Sequence, residues 1–266
     1  MDPITDKAFY IPDGDAFVST ASTRGPWDVQ TQHGGPPSAL MARAVDALLA
    51  DEHLLWVPAR TTIELRRPVP IARLQVVAAL ETRGRQAIRA TATLTHNDTE
   101  VARLRATLLR AVDPDPKMAC EPPSRIDPPE SMPGYEFTFF LDPIGYQRAI
   151  ELRTRDAWPS ARFTSWSRMR IPLVPGEVPD GWQRALVFAD AAHGTAPGLD
   201  PTKYTLVNPD LDLSLLRRPI GEWVALDVET TTTATGLGLT RSRVFDRTGV
   251  CGATSATLIV RRRDPR

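Results

Sequence analysis

The sequence predicts an α+β protein built twice. Three observations predict it: a helix-then-strands pattern that occurs two times, the order of elements within each copy, and a proline-rich stretch between the copies. One word anchors the repeat. Leu-Arg-Arg-Pro stands at residues 65–68 and again at 216–219, 151 positions later, and self-similarity at a fixed spacing marks a duplicated structural unit.

The first copy opens on a helix. Residues 37–49 carry Leu40, Ala44, Ala47 and Leu48 at helical spacing, with small residues nearly all round and Gly34-Gly35 ahead of them, so the spacing predicts a helix buried on most faces. Counted at 151, Ala39 falls opposite Asp190, which makes residues 182–193 the matching helix, one with a carboxylate in it. Strands follow in both copies. Residues 61–68 match 211–219, and the alternating stretches 74–80 and 223–229 come next. The Thr- and Ala-rich runs 88–95 and 238–245 end in turns at Asn97-Asp98 and at 246–249, the composition of hairpins. The closing strands, 101–110 and 250–261, share Ala-Thr-Leu at 106–108 and 256–258, an offset of 150. A one-residue slip fits a turn or bulge difference. A helix followed by antiparallel strands places helices on one face of a curved sheet. Eight prolines, at 114, 116, 122, 123, 128, 129, 133 and 143, exclude helix and central strand between the copies. The expected organisation is a first domain over 1–112, a linker over 113–150 and a second domain over 151–266.

Composition narrows the function. Of 266 residues 42% are apolar and 24% charged, with 32 basic residues balancing 32 acidic ones, so a sizeable core forms and no overall charge draws nucleic acid or anionic lipid. Apolar runs such as 76–80 fall far short of the ~20 residues of a membrane helix, and the N-terminus lacks a secretory pattern. The expectation is a cytoplasmic protein with no membrane insertion. Cys120 and Cys251 are read as unpaired thiols, and the histidines at 33, 53, 96 and 193 show no metal-binding spacing. No Gly-x-Ser-x-Gly elbow or Walker loop occurs. No metal, nucleotide or flavin cofactor is expected.

Helix, Leu-Arg-Arg-Pro at a strand, hairpin and closing strand, given twice, resemble the TesB-like acyl-CoA thioesterases, a double hotdog fold. The matching pieces are residues 33–40 and, in the second copy, 208–219 with 221–224. The resemblance implies two tandem hotdog folds, long central helices wrapped by antiparallel sheets, a homodimer, and hydrolysis of a fatty acyl-CoA thioester. It also implies three side chains that hold and activate a water: an Asp on the second helix, a Thr or Ser near the following strand, and a Gln on the last strand. Asp190 falls at the Asp position. The hydroxyl position lands on Pro209 and the Gln position on Ala256, neither of which can hold water. A one-residue shift at a bulge would bring in Asn208 or Thr257, so Asp190, Asn208 and Thr257 are the candidate catalytic residues.

His33, Gly34, Gly35 and Arg218 are the candidate substrate-binding residues. His33 can act as a base or ligand contact at a helix N-terminus, while the plainer reading makes it a cap or packing contact ahead of a tight glycine turn. Arg66, Arg67, Arg217 and Arg218 have two readings, phosphate contacts to CoA or strand arginines paired with acids. Asp190 sits in an otherwise apolar run, where an unpartnered carboxylate is costly. His193 lies three residues on, but a hotdog hydratase uses an Asp-x-Asn-x-x-His word, and Asp190-Ala-Ala-His193 is spaced differently. Two alternatives to hydrolysis remain: a non-catalytic acyl-CoA or acyl-lipid binding protein, motivated by Pro209 and Ala256, and, more weakly, a hydratase.

Overall fold

The computed structural model describes residues 6–112, 115, 117, 125–137 and 145–263. Cys120, residues 1–5 and the prolines at 114, 116, 122, 123 and 143 lie outside them. In chain order the strands are β1 (Tyr10–Asp13), β2 (Ala16–Ser19), β3 (Trp56–Leu65), β4 (Arg73–Arg83), β5 (Ala87–His96), β6 (Thr99–Arg110), β7 (Ile150–Arg153), β8 (Arg162–Met169), β9 (Tyr204–Val207), β10 (Asp210–Leu215), β11 (Val224–Thr232), β12 (Leu237–Asp246) and β13 (Gly249–Arg262). The helices are α1 (Gly35–Leu49), α2 (Tyr146–Ala149), α3 (Gly181–Ala189) and α4 (Ala192–Thr195). This is two hotdog folds in tandem, an α+β arrangement. Their strands join into one sheet of order β1-β2-β4-β5-β6-β3-β10-β13-β12-β11-β8-β7, with β9 beside β13. The seam is the antiparallel pair β3–β10, where Thr61 faces Leu213 and Glu64 faces Asp210.

Strand alternation decides which face is wet. Leu104, Ala106 and Leu108 are buried, while Arg103, Arg105 and Thr107, which alternate with them, point outward. The inner face packs on α1 and α3 in one core that includes Leu40, Met41, Val45, Ile88, Leu94, Leu104, Leu186 and Phe188. Each such large side chain contributes roughly 1.5–3 kcal/mol by leaving water. α1 is buried along most of its length, but Ala47 and Leu48 of the expected apolar stripe face solvent. Val45, Asp46 and Leu49 are covered instead, because the last turn of the helix emerges from under the sheet.

The register corrects the counted offset. Ala90 faces Ala106 and Thr240 faces Ala256, while Thr62 faces Arg105 and Asp212 faces Ser255, so matched strand residues are 150 apart, not 151. The second copy gains one residue beyond the strand end. Arg66 and Leu216 bond alike to the carbonyls of Val101 and Cys251, yet the prolines after them are Pro68 and Pro219. The pairing of Ala39 with Asp190, counted at 151, loses its basis. Both copies break register at equivalent places, between Leu94 and Thr95 and between Val244 and Phe245, and again between Val57 and Arg60 in β3 and between β9 and β10 at Asn208-Pro209. Pro58 and Pro209 occupy the latter two bulges because proline cannot donate to the ladder.

The expected helix over 182–193 is interrupted. Ala191 N–H bonds to Phe188 O at 3.0 Å, a tighter reach than the α pattern, and α4 resumes as a single turn. Asp190 therefore caps α3 instead of lying within a longer helix. The described residues of the proline-rich stretch run along the second copy, where Tyr135 N–H bonds to Leu152 O and Trp166 Nε1 to Asp127 O. Among the described residues no helix is long and apolar enough to cross a membrane.

Cys251 is fully buried, and burial pushes its thiol up to about 12. The thiolate is the reactive form. A Cys120→Ser variant should therefore show essentially no thiol reactive to a disulfide reagent when native at pH 8, and one when unfolded in guanidinium. Rapid native labelling would contradict this burial.

Candidate functional site

Two glycines bring the central helices together. A Cβ on Gly35 would lie 2.2 Å from Val187 O, so α1 and α3 cross with backbone against backbone only because Gly35 has no side chain. The same crossing sets Gly34 against the end of α3, where a Cβ would sit 2.8 and 2.9 Å from the two carboxylate oxygens of Asp190. Asp190 is 5% exposed and has a side-chain nitrogen within 3.0 Å of each oxygen. Asn208 Nδ2 donates to Oδ1 at 2.8 Å, and His33 Nδ1 stands 3.0 Å from Oδ2. Asn208 reaches inward in phase with the buried Leu206 of β9, and the bulge after it resets the alternation so that Leu211 and Leu213 of β10 also face the core. Its amide also bonds to Asp210 O at 3.1 Å.

His33 is held from several sides. Its ring stacks on Tyr146, with centroids 3.7 Å apart and planes 4° from parallel. Its backbone N–H bonds to Thr23 O, and the preceding Gln32 is gripped by Tyr10 Oη at 2.6 Å and by Pro70 O at 2.7 Å. Tyr146 in turn donates to Val187 O at 2.8 Å. That carbonyl is free for it because the Ala191 N–H bonds to Phe188 O instead. Burial lowers the His33 ring to about 4, with the neighbouring His193 pushing the same way and Asp190 opposing, so the ring is neutral at pH 7. Burial likewise lowers His193. Asp190 thus lies among neutral side chains in a poorly solvated place, and among the described residues no Lys or Arg forms an ion pair with it.

The structure brings together Asp190, Asn208, His33, Gly34 and Gly35 of the residues singled out from sequence. It does not bring Thr257, which is exposed on the outer face of β13 and donates both its N–H and its hydroxyl to Asp210. One residue along, strand alternation turns Ala256 into the core. Of the two readings of Arg218 the structure holds the acid-paired one. Nε bonds to Trp56 O, Nη1 to Asp46 and Asp180, and Nη2 to Asp46 and His53 O. Five N–H groups are the full complement of a guanidinium, and the side chain is 9% exposed. No donor is left for a phosphate. A shallow groove of about 630 Å³ on the opposite face of the sheet is lined by Asp212, Asp227, Glu229, Arg241 and Arg243. It does not include Asp190.

Two family models match the chain. One describes an acyl-CoA thioesterase N-terminal domain and covers residues 23–116, and the other describes an acyl-CoA thioesterase C-terminal domain and covers residues 119–260. The chain belongs to the acyl-CoA thioesterase family. Solved structures with the same fold include the tesB protein of Mycobacterium avium subs paratuberculosis, 19% identical with a TM-score of 0.66 over 94% of this chain and 93% of that one. A protein with a hot dog fold from Alicyclobacillus acidocaldarius is 16% identical with a TM-score of 0.68, covering 97% and 96%. The acyl-CoA thioesterase II TesB2 of Mycobacterium marinum is 14% identical with a TM-score of 0.61, covering 87% and 91%. No curated protein matches the chain.

Within this acyl-CoA thioesterase family member, reading the sequence passed over Tyr146 and Asp46. Tyr146 follows the proline-rich stretch, where nothing in the spacing announces a ring stacked on His33. Asp46 lies in α1 at a position that could as well face water, and only the three-dimensional path of Arg218 buries it.

Proposed function

We propose that this chain hydrolyses the thioester of a fatty acyl-CoA to the free acid and CoA, with Asp190 holding and activating the attacking water. The observation that carries this reading is the buried Asp190 carboxylate, steadied at one oxygen by Asn208 and approached at the other by His33, against the open backbone of Gly34. Water bonded to Asp190 gives a proton to the carboxylate as its oxygen attacks the carbonyl carbon. The carbonyl oxygen gains negative charge, and backbone donors at the head of α1 are placed to meet it. Pro36 and Pro37 have no N–H, so the backbone donors here are those of Gly34 and Gly35, the latter standing 3.2 Å from His33 Nδ1. The C–S bond then breaks, and the departing thiolate takes up the proton. Asn208 does the positioning that the resemblance implies for a hydroxyl, since its amide offers the donor that Pro209 lacks.

A panel of acyl-CoAs from short to long, followed by free thiol, tests the reading. Turnover of at least one chain length is expected. Tight binding of an acyl-CoA with no release from any would overturn hydrolysis and favour a binding protein, the second reading, which the burial of Ala256 in the core supports.

Gly34→Ala gives a sharper test. Gly34 has φ −68° and ψ −15°, which alanine adopts without strain, so the fold should keep its Tm within a few degrees. The new methyl would displace the Asp190 carboxylate, and a misplacement of about 1 Å costs about a hundredfold in rate. Native turnover in this variant would contradict the placement of the reaction beside Gly34.

A further inference from the structure

Asp190 and Asn208 both come from the second copy, yet the other group at the carboxylate comes from the first. His33 Nδ1 has two neighbours that ask opposite things of it: Asp190 Oδ2 at 3.0 Å requires a donor, and Gly35 N–H at 3.2 Å requires an acceptor. A neutral imidazole meets only one of these at one nitrogen. The carboxylate contact is the shorter of the two, and a proton on Nδ1 would make it a charge-assisted hydrogen bond, the stronger class. Choosing it also leaves the Gly35 N–H without that acceptor and open to a substrate oxygen. The ring cannot swing away, because Tyr146 covers one face at 3.7 Å and is itself tied to Val187, three residues before Asp190 on the same helix.

Resting on the thioesterase reading, we propose that His33 is a positioning residue: its Nδ1–H, locked by the stack on Tyr146, fixes the rotation of the Asp190 carboxylate and frees the Gly35 N–H for the substrate. With Asn208 at one oxygen and His33 at the other, the carboxylate is held about its Cβ–Cγ bond. The remaining lone pairs then face one direction, where the water is held. His33 touches neither water nor thioester in this role. It acts through Asp190, and through the tautomer that releases Gly35.

The test compares His33→Phe, which keeps a flat ring against Tyr146 without a donor, with His33→Asn, whose amide N–H lies near the original Nδ1–H. Phenylalanine should lower kcat tenfold to a hundredfold, the size of a lost hydrogen bond to a charged group. KM should stay within about threefold. Asparagine should recover most of the loss. Nitrogen chemical shifts of the imidazole at pH 7, assigned by their disappearance in His33→Phe, should show the proton on Nδ1. A proton on Nε2, native kcat in His33→Phe, or equal losses in both variants would each overturn the role. Asp190→Asn in the same assay separates the two proposals. If it is inactive while His33→Phe turns over normally, only the role of His33 falls. If the native chain turns over no acyl-CoA, the hydrolase reading falls and this role with it.

Discussion

Asp190→Asn should lower the release of CoA from the best acyl-CoA substrate by about a thousandfold, within the 10²–10⁴ that a positioned proton acceptor contributes. The change is nearly isosteric, and the site can absorb it. The new amide oxygen still accepts from Asn208, and the new amide nitrogen can donate to His33 once that imidazole carries its proton on the other nitrogen. Tm should therefore move by no more than a few degrees, which separates a chemical loss from an unfolded protein. What the amide cannot do is take the proton of an attacking water. A variant that keeps more than a tenth of native turnover would show that the water is activated elsewhere, and the role given to Asp190 would be withdrawn.

Arg218→Leu should be the most destabilising of the changes considered. The guanidinium lies between Asp46 of α1, Asp180 at the N-cap of α3 and the carbonyls of Trp56 and His53, with its carbon centre 5.7 Å from the centroid of the Trp182 ring. Burial already pushes the Asp46 carboxyl up against the opposing pull of Arg218, so the cluster stabilises little in net terms. Removing one partner is another matter. It strands two acids, and breaking a buried pair costs about 3–5 kcal/mol, roughly 10 °C in Tm for a chain of this size. The sign of the pH dependence follows. Without Arg218 the folded Asp46 carboxyl rises further above its unfolded value, so the variant is least penalised below about pH 4, where that group is protonated in both states. The deficit grows as pH rises through the raised folded value. Adding Asp46→Asn should recover part of the loss at pH 7. A Tm within two degrees of native in Arg218→Leu would show that the cluster is solvated.

The duplicated architecture was legible because it rests on local pattern. Alternation, hairpin turns and a repeated word are short-range features, and Asn97-Asp98 adopts the paired positive φ values of 47° and 59° that a tight hairpin requires. The carboxylate was legible because Asp190 interrupts an apolar run. Less visible was whatever depends on one residue of slippage. Counting from Arg218-Pro219 led to Pro209, and only the register shows Asn208, one residue earlier, facing inward at a bulge. Thr257 was the other residue that such a shift would bring in. Its strand keeps regular alternation there, which sends it to the outer face. Arg218 was ambiguous for a different reason, because a guanidinium suits a phosphate and a carboxylate equally.

The bulge at Pro58 in the first copy and Asn208-Pro209 in the second makes the two copies unequal. Two identical copies would offer the same reaction centre twice, at equivalent ends of the crossed helices. Here the bulge of the second copy presents Asn208, while the bulge of the first holds Pro58, which has no amide to offer. The first copy lends His33 and the two glycines to a centre whose carboxylate it does not carry. Under the proposed hydrolysis, neither copy expressed alone would contain a whole centre.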